Sequence, residues 1–161
     1  MKVEILSHRQ PTVAEQIHAV LMLAYAQEAV LLGIKNFPPL EQTASDIQMS
    51  DEFFLGSFDN QELLGVVSVR PDDEPGQVNI ASLVVHPLHQ RKGVARALLS
   101  DALQRAEAVT FSVSTAAKNA PALALYHQFG FEAYRWGTLQ ATAGEEALAL
   151  VKLRRTPPPS R

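Results

Sequence analysis

Hydrophobic and polar positions change their period several times along the chain, and these changes predict the order of its elements. Val3 to Leu6 has the pattern of an edge strand. From residue 12 onward the apolar positions recur at helical spacing, with Thr12-Val13-Ala14-Glu15 as a capping box and Gly33 as a natural stop. This predicts a helix with one face in the core. That face consists of Ile17, Val20, Leu21, Ala24 and Tyr25.

The middle of the chain has the pattern of a β-meander. After a break at Asn36-Phe37-Pro38-Pro39, a second short helix is predicted over residues 41–49. Strands are then predicted over 53–58, over the valine-rich segment 63–70 and over 77–85, separated by turns at 59–62 and 71–76.

Helices and strands alternate in the last third of the chain. Helices are predicted over 94–107 and 121–129, and strands over 110–114, 132–136 and 146–153. Together with the first two thirds, this order predicts an α+β fold, with a mixed sheet and helices on its faces, in a single domain over residues 1–155. The Pro-rich tail, residues 156–161, cannot build a core and is predicted to be disordered.

Composition narrows the class of protein. With 161 residues, 47% hydrophobic and 19% charged, the chain is long enough for one domain with a substantial core. A net charge of −3 argues against sequence-independent binding to nucleic acid. There is no cysteine, the first residues lack a signal-peptide apolar region, and the apolar stretch 19–34 is too short to span a membrane. We therefore expect a cytoplasmic protein that binds neither nucleic acid nor membrane.

One loop has the composition of an anion-binding site. It connects the apolar segment Leu83-Val84-Val85 to a helix through Gln90-Arg91-Lys92-Gly93-Val94-Ala95-Arg96. A helix start has backbone N–H groups without partners and the positive end of the helix dipole, so it favours a phosphate. Three basic side chains add positive charge. The alternative is a basic loop before an ordinary amphipathic helix.

A second segment, residues 119–131, follows about 25 residues later. It reads Asn119-Ala120-Pro121-Ala122-Leu123-Ala124-Leu125-Tyr126-His127-Gln128-Phe129-Gly130-Phe131. The first loop resembles the (Gln/Arg)-x-x-Gly-x-(Gly/Ala) motif of the GNAT superfamily of acyl-CoA N-acyltransferases. The second segment resembles that superfamily's Asn-x-x-Ala-x-x-Leu-Tyr-x-x-x-Gly-Phe segment. Order and distance also match, so the chain resembles a GNAT protein over residues 54–136.

The resemblance implies a fold, a cosubstrate and a set of site residues. The implied GNAT fold is a splayed mixed sheet of six to seven strands flanked by about four helices, with acetyl-CoA as cosubstrate in the gap and no metal. By resemblance, Leu83, Val84 and Val85 offer backbone groups to the pantetheine arm, while their side chains mainly pack. The amides of Gln90, Arg91, Lys92, Gly93, Val94, Ala95 and Arg96 hold the pyrophosphate. Asn119 reaches the arm from the other side, and Tyr126 is the general acid that protonates the CoA thiolate.

The general base does not follow from the motifs. The positions that carry glutamate in many GNAT proteins hold Asn79 and Ser114 here. Deprotonating a lysine-like amine at neutral pH costs roughly 4 kcal/mol, whereas an α-amine or arylamine needs about 1 or less, so the missing glutamate favours a weakly basic acceptor. A base from outside the motifs stays open. The candidates are Glu28, Asp46 and Glu52, with His86 as a further alternative.

Other residue groups have simpler interpretations. His86 and His89 stand three apart, but with no nearby carboxylate or cysteine they are interpreted as surface residues rather than metal ligands. In the family the acceptor lies near the segments corresponding to 32–39 and 137–144. Phe37 and Trp136 are therefore candidates to line an acceptor pocket, although plain packing is the simpler role for both.

Three functions stay open at this stage. The first is an N-acetyltransferase that moves an acetyl group from acetyl-CoA to a primary amine by direct attack in a ternary complex. The second is a non-catalytic acyl-CoA-binding sensor or interaction module of the same fold. The third is an unrelated α/β protein that binds another phosphorylated ligand. The acceptor is a small-molecule or peptide amine, and dimers are common in the family, so a homodimer is one further expectation.

Overall fold

Seven strands form a single sheet in this computed structural model, which describes residues 1–139 and 147–159. The strands are β1 (Lys2–Ile5), β2 (Phe53–Asp59), β3 (Glu62–Pro71), β4 (Gln77–Val85), β5 (Thr110–Ala116), β6 (Glu132–Leu139) and β7 (Leu148–Arg155). Their order across the sheet is β1-β2-β3-β4-β5-β7-β6. Only the β4–β5 pair is parallel among these strands, so the mixed sheet predicted from the sequence is confirmed.

Four α-helices accompany the sheet in the described part of the chain. They are α1 (Pro11–Leu32), α2 (Ala44–Met49), α3 (Val94–Gln104) and α4 (Ala120–Gln128). Short 3-10 turns occupy Pro38–Glu41 and Pro87–His89. This set of helices and strands is the predicted GNAT arrangement.

The start of α1 differs from the prediction. Its N-cap is Gln10, which makes no side-chain capping bond, so the capping box predicted at Thr12 is wrong. Proline fits the first helical position because its φ is already helical and its missing N–H would have no partner there. Pro11 therefore begins the helix and leaves Thr12 inside the first turn. Gly33 ends α1 with a φ of 69°, as predicted.

A capping box does occur, but one helix later. The hydroxyl of Thr43 accepts from the amide of Asp46 at 3.1 Å, and the amide of Thr43 donates to the Asp46 carboxylate at 2.9 Å. This pair begins α2 at Ala44, so the predicted start of that helix at residue 41 is wrong. Residues 38–41 form the 3-10 turn instead.

Helices cover both faces of the sheet. On one face, Ile17, Leu21 and Ile47 from α1 and α2 pack against Val66 and Val84. On the other, the core contains buried side chains of α3, α4 and the strands, including Val67, Leu98, Leu99, Phe111, Tyr126 and Leu153. Each large apolar side chain buried in this way contributes about 1.5–3 kcal/mol to folding.

A β-bulge marks the point where the sheet opens. Ser68 on β3 pairs with Ser82, but Val69 pairs with Ile80, which leaves Ala81 as an extra residue on β4. Bulges bend a strand and are common beside active sites. The parallel pairing of β4 with β5 ends at the same place, at Ile80 opposite Val113. Beyond it the two strands diverge, so the predicted splay is confirmed.

Three sequence predictions reach residues outside the described part of the chain. The predicted last strand begins at residue 146, which is outside, and β7 is described from Leu148. The predicted acceptor loop 137–144 includes residues 140–144, and the predicted disordered tail includes 160 and 161. Residues 156–159 form neither helix nor strand.

Candidate active site

The gap between β4 and β5 opens into a cleft of about 360 Å³. Strand and loop residues around the bulge form its floor, and α1, α4, the 3-10 turn at Pro38–Glu41 and strands β6 and β7 contribute its walls. Its polar lining groups among the described residues are Tyr25, Glu28, Ser82, Ser114, Thr115, Asn119 and Tyr126. Leu83, Asn119 and Tyr126, which are distant in sequence, thus meet in one site.

Tyr126 is held firmly at this cleft. Its side chain is only 5% exposed and packs edge-on against Phe131, with ring centroids 5.4 Å apart. Burial raises the pKa of the Tyr126 phenol above its ordinary value, and the nearby Glu28 and Tyr25 raise it further. The hydroxyl therefore keeps its proton at neutral pH.

Asn119 connects two walls of the cleft. Its side-chain oxygen accepts from the amide of Ala122 at 3.3 Å and so caps α4. Its side-chain nitrogen donates to the Glu28 carboxylate of α1, also at 3.3 Å. Burial raises the pKa of Glu28, and the bond from Asn119 partly offsets this increase. The Glu28 carboxylate is consequently half-buried, and the Asn119 side chain donates to one of its two oxygens.

The loop before α3 presents backbone N–H groups at a helix start. Gly93 is the N-cap with a φ of 82°, and Arg91 also has a positive φ of 63°. None of the described residues accepts a backbone hydrogen bond from the amides of Val94, Ala95 or Arg96. These amides and the helix dipole together form the geometry expected of an anion site.

The side chains of the same loop are exposed or contact neighbouring elements. Gln90 donates to Gln27 of α1 at 2.5 Å, and Arg96 donates to Gln128 of α4. Lys92 contacts His89 at 3.2 Å. Arg91, Lys92 and Arg96 remain largely exposed, so their charges lie beside the free amides of α3. Val94 points into the core and is 2% exposed.

The three residues predicted to meet the pantetheine arm differ in where their side chains lie. Leu83 lines the cleft, Val84 is buried against α1, and Val85 packs on the opposite core. Since β4 has lost its pairing with β5 here, one backbone edge of this segment faces the gap.

The two positions that carry glutamate in many GNAT proteins, Asn79 and Ser114 here, lie in different parts of the structure. Ser114 lines the cleft. Asn79 instead lies in the closed part of the sheet, where its side-chain nitrogen donates to Ser112 at 3.0 Å. Ser112 in turn donates to Asp72 at 2.9 Å. Asn79 thus belongs to a buried polar cluster below the cleft.

Of the open candidates for a base, Asp46 is occupied elsewhere. Its carboxylate accepts from Thr43 at the start of α2, and those bonds lower the pKa of Asp46. Glu52 is connected to the cleft through two serines. Its carboxylate accepts from Ser68 at 2.7 Å, and the Ser68 and Ser82 hydroxyl oxygens are 2.6 Å apart.

Ser68, Ser82 and Tyr25 were missed as polar site residues by the sequence analysis. Tyr25 was assigned to the core because of its helical spacing, yet it also lines the cleft. A signal was present for the serines, since each interrupts a run of apolar strand residues. A hydroxyl at such an inward position needs a partner, which here is the other serine.

The remaining candidates lie at the edge of the site or away from it. Phe37 lines the cleft and is 7% exposed, whereas Trp136 is 72% exposed on the edge strand β6. Residues 1–139 and 147–159 contain no group of three metal-ligating side chains in one place. In the same part of the chain, no helix is both long and apolar enough to cross a membrane.

Solved structures share this fold at low sequence identity. The ribosomal-protein-S18-alanine N-acetyltransferase from Escherichia coli superposes with a TM-score of 0.74, at 18% identity, over 96% of this chain and 92% of its own. The protein yncA from Salmonella typhimurium, solved with its cofactor acetyl-CoA, gives 0.70 at 18% identity, over 96% of this chain and 92% of its own. The architecture is therefore that of the GNAT N-acetyltransferases.

The sequence itself defines the family. The profile of the Acetyltransferase (GNAT) family matches residues 18–131, which is more than half of the chain. This chain belongs to the GNAT acetyltransferase family. It is also 40% identical over 131 residues to the UPF0157 protein YqkA of Bacillus subtilis (strain 168). The match includes 81% of this chain but only 38% of the length of YqkA.

Proposed function

We propose that this protein transfers an acetyl group from acetyl-CoA to a primary amine by direct attack in a ternary complex. The observation that supports this most strongly is the position of Tyr126 in the cleft between the diverging strands. The free amides at the start of α3 are connected to the end of β4 by the loop 86–93. The cleft thus suits a thioester, and the loop before α3 suits the phosphates of its carrier.

The described residues fit acetyl-CoA chemically. The gap at Leu83 offers a strand edge to a pantetheine arm, which contains amide groups. At Gly93 there is open space within 4 Å of where a Cβ would be, so a phosphate can approach the backbone. Acetyl-CoA supplies an activated acetyl thioester when bound.

The residues of the chain then have separate tasks. Tyr126 donates its proton to the sulfur as the carbon–sulfur bond breaks, so that CoA leaves as a thiol. A backbone N–H of the Leu83–Val85 segment stabilises negative charge on the carbonyl oxygen.

A matched pair of glycine variants tests the cosubstrate site. Gly93→Glu adds a carboxylate where the pyrophosphate is expected, and Gly76→Glu adds the same group in the β3–β4 turn. The two glycines have φ values of 82° and 80° and equally open surroundings, so the backbone strain is matched. Binding of acetyl-CoA is measured by calorimetry for both.

We expect Gly93→Glu to lose acetyl-CoA binding and Gly76→Glu to keep it. Equal binding by the two variants would contradict the assignment of this loop. Thiol release from acetyl-CoA in the presence of amines then separates the enzyme from a binding module. Binding without release across small amines and short peptides would favour the non-catalytic alternative.

A further inference from the structure

One end of the cleft has a predominantly apolar wall. The side chains at the end of α1, in the 3-10 turn and on β6 and β7 contribute Leu32, Phe37, Pro38, Pro39, Leu139, Leu148 and Leu150. Phe37 and Leu148 form a small core with Leu32, Ala29 and Ala116. An edge-on contact with Tyr25, with ring centroids 6.0 Å apart, also orients Phe37. These seven described side chains offer no charge to a bound molecule.

Glu28 lies one helical turn before Leu32 and is the only carboxylate among the described residues that line the cleft. The described lining also includes no lysine or arginine. The titratable groups that face Glu28 are Tyr25 on its own helix and Tyr126 on α4. Neither supplies a positive charge, so among the described residues the carboxylate has no counterion, and a cation would be favoured beside it.

We infer that the acceptor is a primary amine carried on an apolar body, with its ammonium group bound by Glu28. The inference rests on the proposed function and specifies its substrate class. An amine beside Glu28 is also near Tyr126, where the thioester is expected. A carboxylate next to the amine would be repelled by Glu28, and a second ammonium would lie unsolvated against the apolar wall.

Matched amines test this inference. Phenethylamine is compared with phenylalanine, which adds a carboxylate, and hexylamine with hexamethylenediamine, which adds a second ammonium. We expect kcat/KM to be at least about tenfold higher for the apolar member of each pair, because an unpaired buried charge costs at least this factor. Glu28→Gln should raise KM for hexylamine by about tenfold or more while leaving acetyl-CoA affinity unchanged.

The outcomes separate this inference from the proposed function. If the wild-type protein does not bind acetyl-CoA, the proposed function itself is contradicted. If acetyl-CoA binds but the diamine or the amino acid is preferred, the substrate class is wrong. Absence of both turnover and binding for the two apolar monoamines would overturn it as well.

A chain of hydrogen-bonded side chains leads from the cleft to Glu52. Ser82 lines the cleft, its hydroxyl contacts Ser68, and Ser68 donates to the Glu52 carboxylate. Each serine hydroxyl has one proton. Because the Ser68 proton is directed at Glu52, Ser68 accepts from Ser82. Tyr25 also hydrogen-bonds to Ser82. With its own proton directed at Ser68, the Ser82 oxygen accepts from Tyr25 and has one further lone pair for a donor in the cleft.

We propose that this chain of hydroxyls transfers the acceptor's proton to Glu52. The ammonium gives a proton to Ser82, Ser82 gives its own to Ser68, and Ser68 gives its own to Glu52. The amine becomes neutral and Glu52 becomes a neutral acid. Tyr25, which also interacts electrostatically with Glu28 and Glu52, is the titratable group between the two carboxylates. Glu28 thus binds the amine, and Glu52 receives its proton.

The pH dependence of kcat/KM distinguishes this relay from a purely structural role. In the wild-type protein the rate on hexylamine should depend little on the fraction of free amine. In Ser68→Ala and Glu52→Gln it should fall at least about tenfold at neutral pH and recover as pH approaches the pKa of the amine. Ser68→Thr keeps the hydroxyl and should restore the wild-type profile. Parallel pH profiles for wild type, Ser68→Ala and Glu52→Gln would overturn the relay. It would also be overturned if Glu28→Gln were the only variant whose pH profile differed from that of the wild type.

Discussion

Lys152 on β7 donates a 2.9 Å hydrogen bond to Asp72, and the two side chains are only 12% and 4% exposed. Asp72 also accepts from Ser112 of β5. Although burial raises the pKa of Asp72, these hydrogen bonds lower it below its ordinary value. The ion pair therefore connects the β3–β4 turn to the second half of the sheet, directly below the cleft.

Removing one member of this pair should be costly. Lys152→Met leaves Asp72 as an unpaired buried charge, so we expect a loss of about 3–5 kcal/mol in the free energy of unfolding. Adding Asp72→Asn to Lys152→Met should recover much of that loss. The exposed pair of Lys2 and Glu4 is the control, and Lys2→Met should change stability by less than about 1 kcal/mol. Urea unfolding measures all three, and equal losses for Lys152→Met and Lys2→Met would contradict the expectation.

Gly65 is required by the close approach of α3 to the sheet. A Cβ on this residue would lie 2.8 Å from both the carbonyl oxygen of Val84 and a methyl group of Val94. Gly65→Ala should therefore destabilise the protein by about 1–3 kcal/mol. The control is Gly137→Ala on β6, where no atom of the described residues lies within 4 Å of the added Cβ. Thermal unfolding with no difference between the two variants would show that α3 can move away without cost.

Tyr126→Phe tests the proposed acid. The ring contact with Phe131 is retained and only the hydroxyl is lost, so acetyl-CoA affinity should stay near its wild-type value. We expect kcat to fall by about 10²-fold, as for removal of a positioned general acid. Tyr134→Phe, on the edge strand and outside the described cleft lining, is the control and should leave kcat close to wild type. A normal kcat for Tyr126→Phe excludes this residue as the acid.

Glu28→Gln should stabilise the protein at neutral pH. Burial raises the pKa of Glu28 in the folded state. At pH values between the ordinary and the raised pKa, the folded protein therefore binds more protons than the unfolded chain. Wild-type stability therefore falls as pH increases through that interval. Glutamine does not titrate, so the variant does not lose stability in this interval, and its side-chain oxygen can still accept from Asn119. Melting temperatures should be similar near pH 4.5 and higher for the variant at pH 7.5. A constant difference across this range would contradict the assignment.

Much of the fold is predictable because local patterns determine it. Apolar segments separated by turns locate β2, β3 and β4, and a left-handed glycine at position 33 ends α1. The helix starts were predicted less well, because Pro11 and Thr43 compete with other plausible caps and only the packed helix decides between them. The motif residues Gly93, Asn119 and Tyr126 are likewise visible in the sequence as a spacing.

The sequence by itself determined the order of elements, the family and the motif residues, since each depends on residues close together in the chain. The tertiary structure decided which of them share a site. The bulge at Ala81 and the loss of β4–β5 pairing open the cleft. Glu28, Asn119 and Tyr126 line it together because of strand register between segments that are far apart in the chain. The same register pairs Ser68 with Ser82 and directs their hydroxyls to Glu52. Contacts of this kind arise from packing between distant segments, so no local pattern contains them.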